Sequence, residues 1–151
     1  MGLHTNASRL SSIKLVNTGP TDELNLDPLA PRLNVITGDN GLGKSFLLES
    51  AWFMLTGHWH MLPAVVTNVA KAAAITASLR QSSRAEPRAS RWLRAQQGWS
   101  PPNDDKELRP GLVVYARVDG SFSVWDSHRN VEGSILRNGV ELPPPRVYPF
   151  S

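Results

Sequence analysis

Gly38-Asp39-Asn40-Gly41-Leu42-Gly43-Lys44-Ser45 fits G-x-x-x-x-G-K-[ST], the pattern of a loop that cradles phosphate. The pattern carries chemical meaning only between a strand and a helix, so its reading decides the expected fold. Both flanks have the needed character. Leu33 to Ile36 precedes it as a short apolar strand, and Phe46 to Leu55 follows as a strongly apolar helix. The glycines permit a tight turn that aims successive backbone N–H groups at phosphate oxygens. A helix beginning near Lys44 adds the positive end of its dipole. Lys44 supplies a point charge for the β- and γ-phosphates, and Ser45 a hydroxyl for Mg²⁺. A Gly-rich turn with the same letters is the competing explanation; the bare pattern arises by chance in about one chain per hundred of this length. Residues 38–46, ending on Phe46, are therefore the expected nucleotide-binding segment.

Upstream, strands are expected near 11–17, 23–27 and 32–37, punctuated by Pro20 and by Pro28 with Pro31. Downstream, the helix over 45–56 is apolar nearly all round and must be buried on most sides, with Gly57 as its stop. Residues 64–80 read two ways, since Val69 to Ala77 suits a helix and Ala74 to Leu79 a strand. Leu112–Val118 and Ser121–Asp126 form a hairpin around Asp119-Gly120, expected as a type I′ turn. The tail carries Pro143-Pro144-Pro145 and Pro149 and reads as extended and outside the core.

The 151 residues are enough to bury a core, and 40 % apolar with 19 % charged is ordinary for a globular chain. Without cysteine there is no disulfide framework, thiolate chemistry or cysteine zinc site. The N-terminus lacks an apolar secretory core, Asn6 breaks the myristoylation pattern that Gly2 opens, and no apolar run is long enough to span a bilayer. A cytoplasmic location is the expectation.

Asn40-Gly41-x-Gly43-Lys44-Ser45 resembles the Walker A of ABC-type ATPases, including the SMC, RecF and OLD-like branch. Ile13-Lys14-Leu15-Val16-Asn17 is similar to that branch's first strand, which ends in Asn. Leu33-Asn34-Val35-Ile36-Thr37-Gly38 is similar to its P-loop strand, and Leu47-Leu48-Glu49-Ser50-Ala51 to its following helix. The resemblance covers residues 11–57; residues 110–126 are also similar to a stretch of some bacterial AAA-family ATPases. It implies an α/β fold: a P-loop NTPase N-terminal lobe, a mixed sheet with an antiparallel β-subdomain around the P-loop helix. It also implies ATP and Mg²⁺ as ligands, with Lys44 neutralising phosphate charge and Ser45 on the metal. Gln96 or Gln97 then becomes a candidate for the glutamine that reaches the Mg²⁺ and attacking water. The expected organisation is a leader over 1–10, then one incomplete lobe: 11–57 binding nucleotide, a basic insertion at 64–100, a hairpin at 110–127 and a Pro-rich tail at 140–151.

Hydrolysis in that class needs a Walker B strand ending in Asp-Glu. Phe122-Ser123-Val124-Trp125-Asp126 imitates it, but Ser127 follows and the hairpin is antiparallel; Val131-Glu132-Gly133-Ser134 is no signature motif either. The expectation is thus the Walker A part of a larger, dimeric ATPase, which binds ATP alone and needs a remainder or second subunit to hydrolyse it. The missing strands would leave the helix's apolar faces uncovered. A non-hydrolysing nucleotide module and a DNA-binding or scaffold piece with a vestigial P-loop compete with that reading. Arg80, Arg84, Arg88, Arg91 and Arg94, with Trp92 and Trp99 close by, make DNA a candidate partner. His58 and His60 read as a surface pair, and Asp104-Asp105 as a solvated turn.

Overall fold

Alternation starts the fold. In Ser-Ile-Lys-Leu-Val-Asn every second residue from Ile13 is buried, the pattern of a strand with one face on a core. A computed structural model describes residues 8–41, 43–102 and 110–126, and the backbone of 148–150. Strand β1 (Arg9–Thr18) turns through Gly19-Pro20 into β2 (Thr21–Leu26), and β3 (Ala74–Gln81) turns into β4 (Arg84–Leu93) and then the short β5 (Gly98–Trp99). They form one antiparallel sheet in the order β2-β1-β3-β4-β5. A second sheet holds β6 (Leu112–Ala116), β7 (Phe122–Asp126) and β8 (Tyr148–Phe150), again antiparallel. Helix α1 (Lys44–Thr56) packs on β3 and β4 and also touches β6.

The expected α/β mixed sheet is thereby corrected. Among the described residues strand makes up 44 % and helix 12 %, and every pairing between the named strands is antiparallel. The connections explain this. Gly19 (φ +75°) followed by Pro20, Ser82-Ser83, and residues 117–121 are hairpin-length links, whereas parallel pairing requires a long crossover. The 32–37 strand does not form. Asn34 bonds the Ala30 N–H and C=O at 2.7 and 3.0 Å, a local turn that competes with ladder formation, and Leu33 and Val35 stay 75 % and 74 % exposed.

The core forms where inward residues of β1 and β3 meet α1: Ile13, Leu15, Ile75 and Ala77 against Leu47, Phe53 and Met54. Each large side chain buried there stabilises by about 1.5–3 kcal/mol. Trp52 faces the small sheet, 6.1 Å from the Tyr115 ring. The helix is therefore covered from both sides by this chain's own strands, and of its apolar residues only Leu48 is strongly exposed. That corrects the expectation of uncovered faces.

Several smaller expectations shift. Residues 74–81 are strand, not helix, because Ile75, Ala77 and Leu79 alternate onto the core. Leader residues Ser8 to Leu10 already belong to the sheet region, Ser8 bridging to Pro110. The β6–β7 turn is not type I′: Asp119 keeps negative φ, only Gly120 is left-handed (φ +85°), and the Gly120 N–H donates to Arg117 O at 3.1 Å. That is a type I turn closed by a left-handed glycine. Asp119 Oδ1 fixes it by accepting from the N–H and hydroxyl of Ser121 at 2.9 and 2.6 Å. Pro149 pairs opposite Ser123 in the edge strand β8, while Leu42, Asp104, Asp105, Val131–Ser134 and Pro143–Pro145 lie outside the described residues.

Candidate functional site

Glycine opens the helix. Gly43 occupies the position before α1 with φ +87°, and Gly41 has φ +90°, conformations that L-residues with a Cβ rarely adopt. A Cβ on Gly43 would lie 2.6 Å from Pro20 Cγ, so the β1–β2 turn presses directly on the loop. No side chain caps α1 and its first turn carries no acid. The first helical bond is Leu47 N–H to Gly43 O at 2.9 Å, which leaves the N–H groups of Lys44, Ser45 and Phe46 without a partner among the described residues.

The lysine folds back over the loop. Lys44 Nζ donates to Gly38 O and Asp39 O, both at 2.7 Å, using two of its three hydrogens. The backbone carbonyls of Gly38 and Asp39 thus lie against the Lys44 ammonium group. Beside it lies a cleft of about 400 Å³ lined by Pro20, Asn40, Gly41, Gly43, Lys44, Ser45 and Phe46. Ser45 is exposed, and Phe46 is half-buried with its ring against Gly19. A cation, unanswered N–H donors and a free hydroxyl around an open cleft suit an anion with several oxygens and an accompanying Mg²⁺.

Of the candidates, Asn40, Gly41, Gly43, Lys44, Ser45 and Phe46 line this cleft, and Gly38 and Asp39 hold its lysine. Gln96 and Gln97 do not line it. They sit in the β4–β5 turn, where Gln97 Nε2 donates to Arg94 O at 2.7 Å. The arginine run is split by strand geometry. Arg88 is buried and donates to Met54 O at 3.2 Å, and Arg84 pairs with Glu86. Arg80 and Arg91 point to the opposite sheet face, at positions paired with Ala85 and Ala74, and Arg94 is in the turn. Trp92 and Trp99 face each other across β4 and β5 with centroids 5.7 Å apart, and Trp99 Nε1 donates to Ala64 O at 2.8 Å. His58 is exposed, whereas His60 is half-buried. Its Nδ1 lies 3.1 Å from Ser123 Oγ, and its ring meets Trp52 and Tyr115 edge to face. Burial, reinforced by the Arg117 charge, holds its pKa below the usual 6.5.

The residues that sequence reasoning missed are Gly19, Pro20 and Thr67. A Gly-Pro pair after an alternating strand does signal a turn; nothing local announces that its tip would wall the cleft.

Comparison with protein-family models, with curated proteins and with solved structures gives no match to this chain. Among the described residues no helix is long and apolar enough to cross a membrane.

Proposed function

We propose that this chain binds ATP with Mg²⁺ through the 38–46 loop, as the Walker A-bearing part of an ABC/RecF-like ATPase. The observation that carries the reading is the Lys44 ammonium held at the mouth of an uncapped helix N-terminus, beside a cleft walled by left-handed glycines. The reading rests on this loop and not on the architecture, whose sheets are antiparallel. Phosphate oxygens would take the N–H groups of residues 43–46 and the third Lys44 hydrogen, and Ser45 Oγ would reach the metal. A cytoplasmic setting, rich in both ligands, fits.

Binding without turnover is the expected behaviour of the chain by itself. Among the described residues that line the cleft none carries a carboxylate to position an attacking water, and in this reading hydrolysis draws on groups from a remainder of the protein or a second subunit. A DNA-contacting role through the Arg80–Arg94 run draws less support, because one arginine is buried and another is paired with a glutamate on its own strand.

Amide NMR shifts on adding Mg²⁺-ATP test the reading. Changes centred on residues 38–46 support it. Changes confined to another surface would remove the loop as the binding site.

A further inference from the structure

We propose that the Gly19-Pro20 turn is the positioning element of the 38–44 loop, and that Asn17 and Thr67 are the residues that pin it. The inference rests on the reading of that loop as a polyphosphate site.

Strand β1 leaves regular geometry at Asn17, which is left-handed (φ +50°) and 3 % exposed. A buried Asn in that conformation is unfavourable unless its polar atoms are answered. They are: its amide reaches Asn68 O, Lys71 O and Ala72 O at 2.8, 3.3 and 3.2 Å, and its carbonyl oxygen accepts the Asn68 N–H at 2.8 Å. The backbone continues the attachment. Thr67 N–H donates to Asn17 O at 3.2 Å, Gly19 N–H to Val65 O at 2.8 Å, and Thr67 Oγ1 to Gly19 O at 2.6 Å. Residues 65–72 therefore grip the end of β1 on both sides of the turn.

From that anchor the turn meets both residues that bracket Lys44 and Ser45. Pro20 fills the space beside Gly43, and the Phe46 ring fills the space beside Gly19. Pro20 cannot follow a moving loop easily, because its ring fixes its own backbone. A loop braced at 43 and 46 keeps its N–H groups aimed at one place, which lowers the ordering cost when an anion arrives. Thr67 itself is exposed and lies outside the cleft lining, so its hydroxyl acts on a ligand only through the turn.

The test is tripolyphosphate affinity, by calorimetry on the full chain well below the unfolding temperature of each variant. Thr67→Val deletes the hydroxyl and keeps the shape; it should weaken binding roughly three- to ten-fold, the worth of one net hydrogen bond. Thr67→Ser restores the hydroxyl and should restore affinity. Pro20→Ala should weaken binding as well, and the double variant Thr67→Val/Pro20→Ala should be no weaker than Pro20→Ala alone, since both act through one turn. If wild type binds but Thr67→Val matches it, or Thr67→Ser is as weak as Thr67→Val, or the two effects simply add, the positioning role is overturned while the site reading stands. Wild type binding neither tripolyphosphate nor ATP would overturn the site reading, and this inference with it.

Discussion

Replacing Gly43 and Gly41 by alanine, one at a time, separates backbone strain from the contact with the turn. Both glycines are left-handed, φ +87° and +90°, so each alanine incurs about 1–2 kcal/mol of conformational cost. Their surroundings differ. A Cβ at Gly41 meets nothing within 4 Å, whereas one at Gly43 lands 2.6 Å from Pro20 Cγ. Relieving that overlap requires the proline ring or the start of α1 to shift, and overpacking of this kind costs a further ~1–3 kcal/mol. Gly43→Ala should thus destabilise by about 2–5 kcal/mol and Gly41→Ala by about 1–2 kcal/mol. Urea unfolding followed by circular dichroism measures both, the difference in midpoint at unchanged slope reporting the stability gap. In a Pro20→Ala background, where the ring is gone, the gap should shrink. Equal costs for the two alanines, or a gap indifferent to Pro20, would refute the contact between the turn and the loop.

Other outcomes follow from the same structure. Arg88→Ala should destabilise by about 2–4 kcal/mol, since it empties a buried position and strands the Met54 carbonyl, while exposed Arg91→Ala should stay within ~0.5 kcal/mol; urea midpoints decide. His60 is held below its usual 6.5, so the unfolded chain takes up that proton first as pH falls. Its contribution is full above pH 6.5 and is lost as pH drops towards the folded value; His60→Gln should flatten that part of the stability profile. In a phosphate-release assay the 151-residue chain should bind ATP without steady turnover, and turnover abolished by Lys44→Ala would expose a carboxylate acting at the cleft, with Asp126 examined first.

Sequence pattern reached the local elements more surely than their assembly. The period-2 burial of β1, the helix stopped by Gly57 with φ +77° and the β6–β7 hairpin all follow from neighbouring residues. The 33–36 strand failed because a strand needs a partner as well as apolar residues. No ladder forms there, and Asn34 supplies a competing turn. Arg88 misled for a related reason: composition counts it with its neighbours, but strand alternation turns it inward onto the helix. That a glycine-rich turn leads into a helix at Lys44 was legible. The clamp of Asn17 and Thr67 was not, because its bonds join residues about fifty positions apart in the chain, beyond the reach of any local pattern.

Calorimetric titration of Mg²⁺-ATP into the wild-type chain and into folded Lys44→Ala bears most directly on the central claim. The substitution removes the one side-chain cation among the described residues lining the cleft and leaves its glycines in place. A lost charged hydrogen bond is worth about 1.5–3 kcal/mol, roughly ten- to a hundred-fold in affinity. Saturable binding to wild type, weakened by that factor in Lys44→Ala, is the predicted result; equal affinities, or no binding to wild type, would contradict the account.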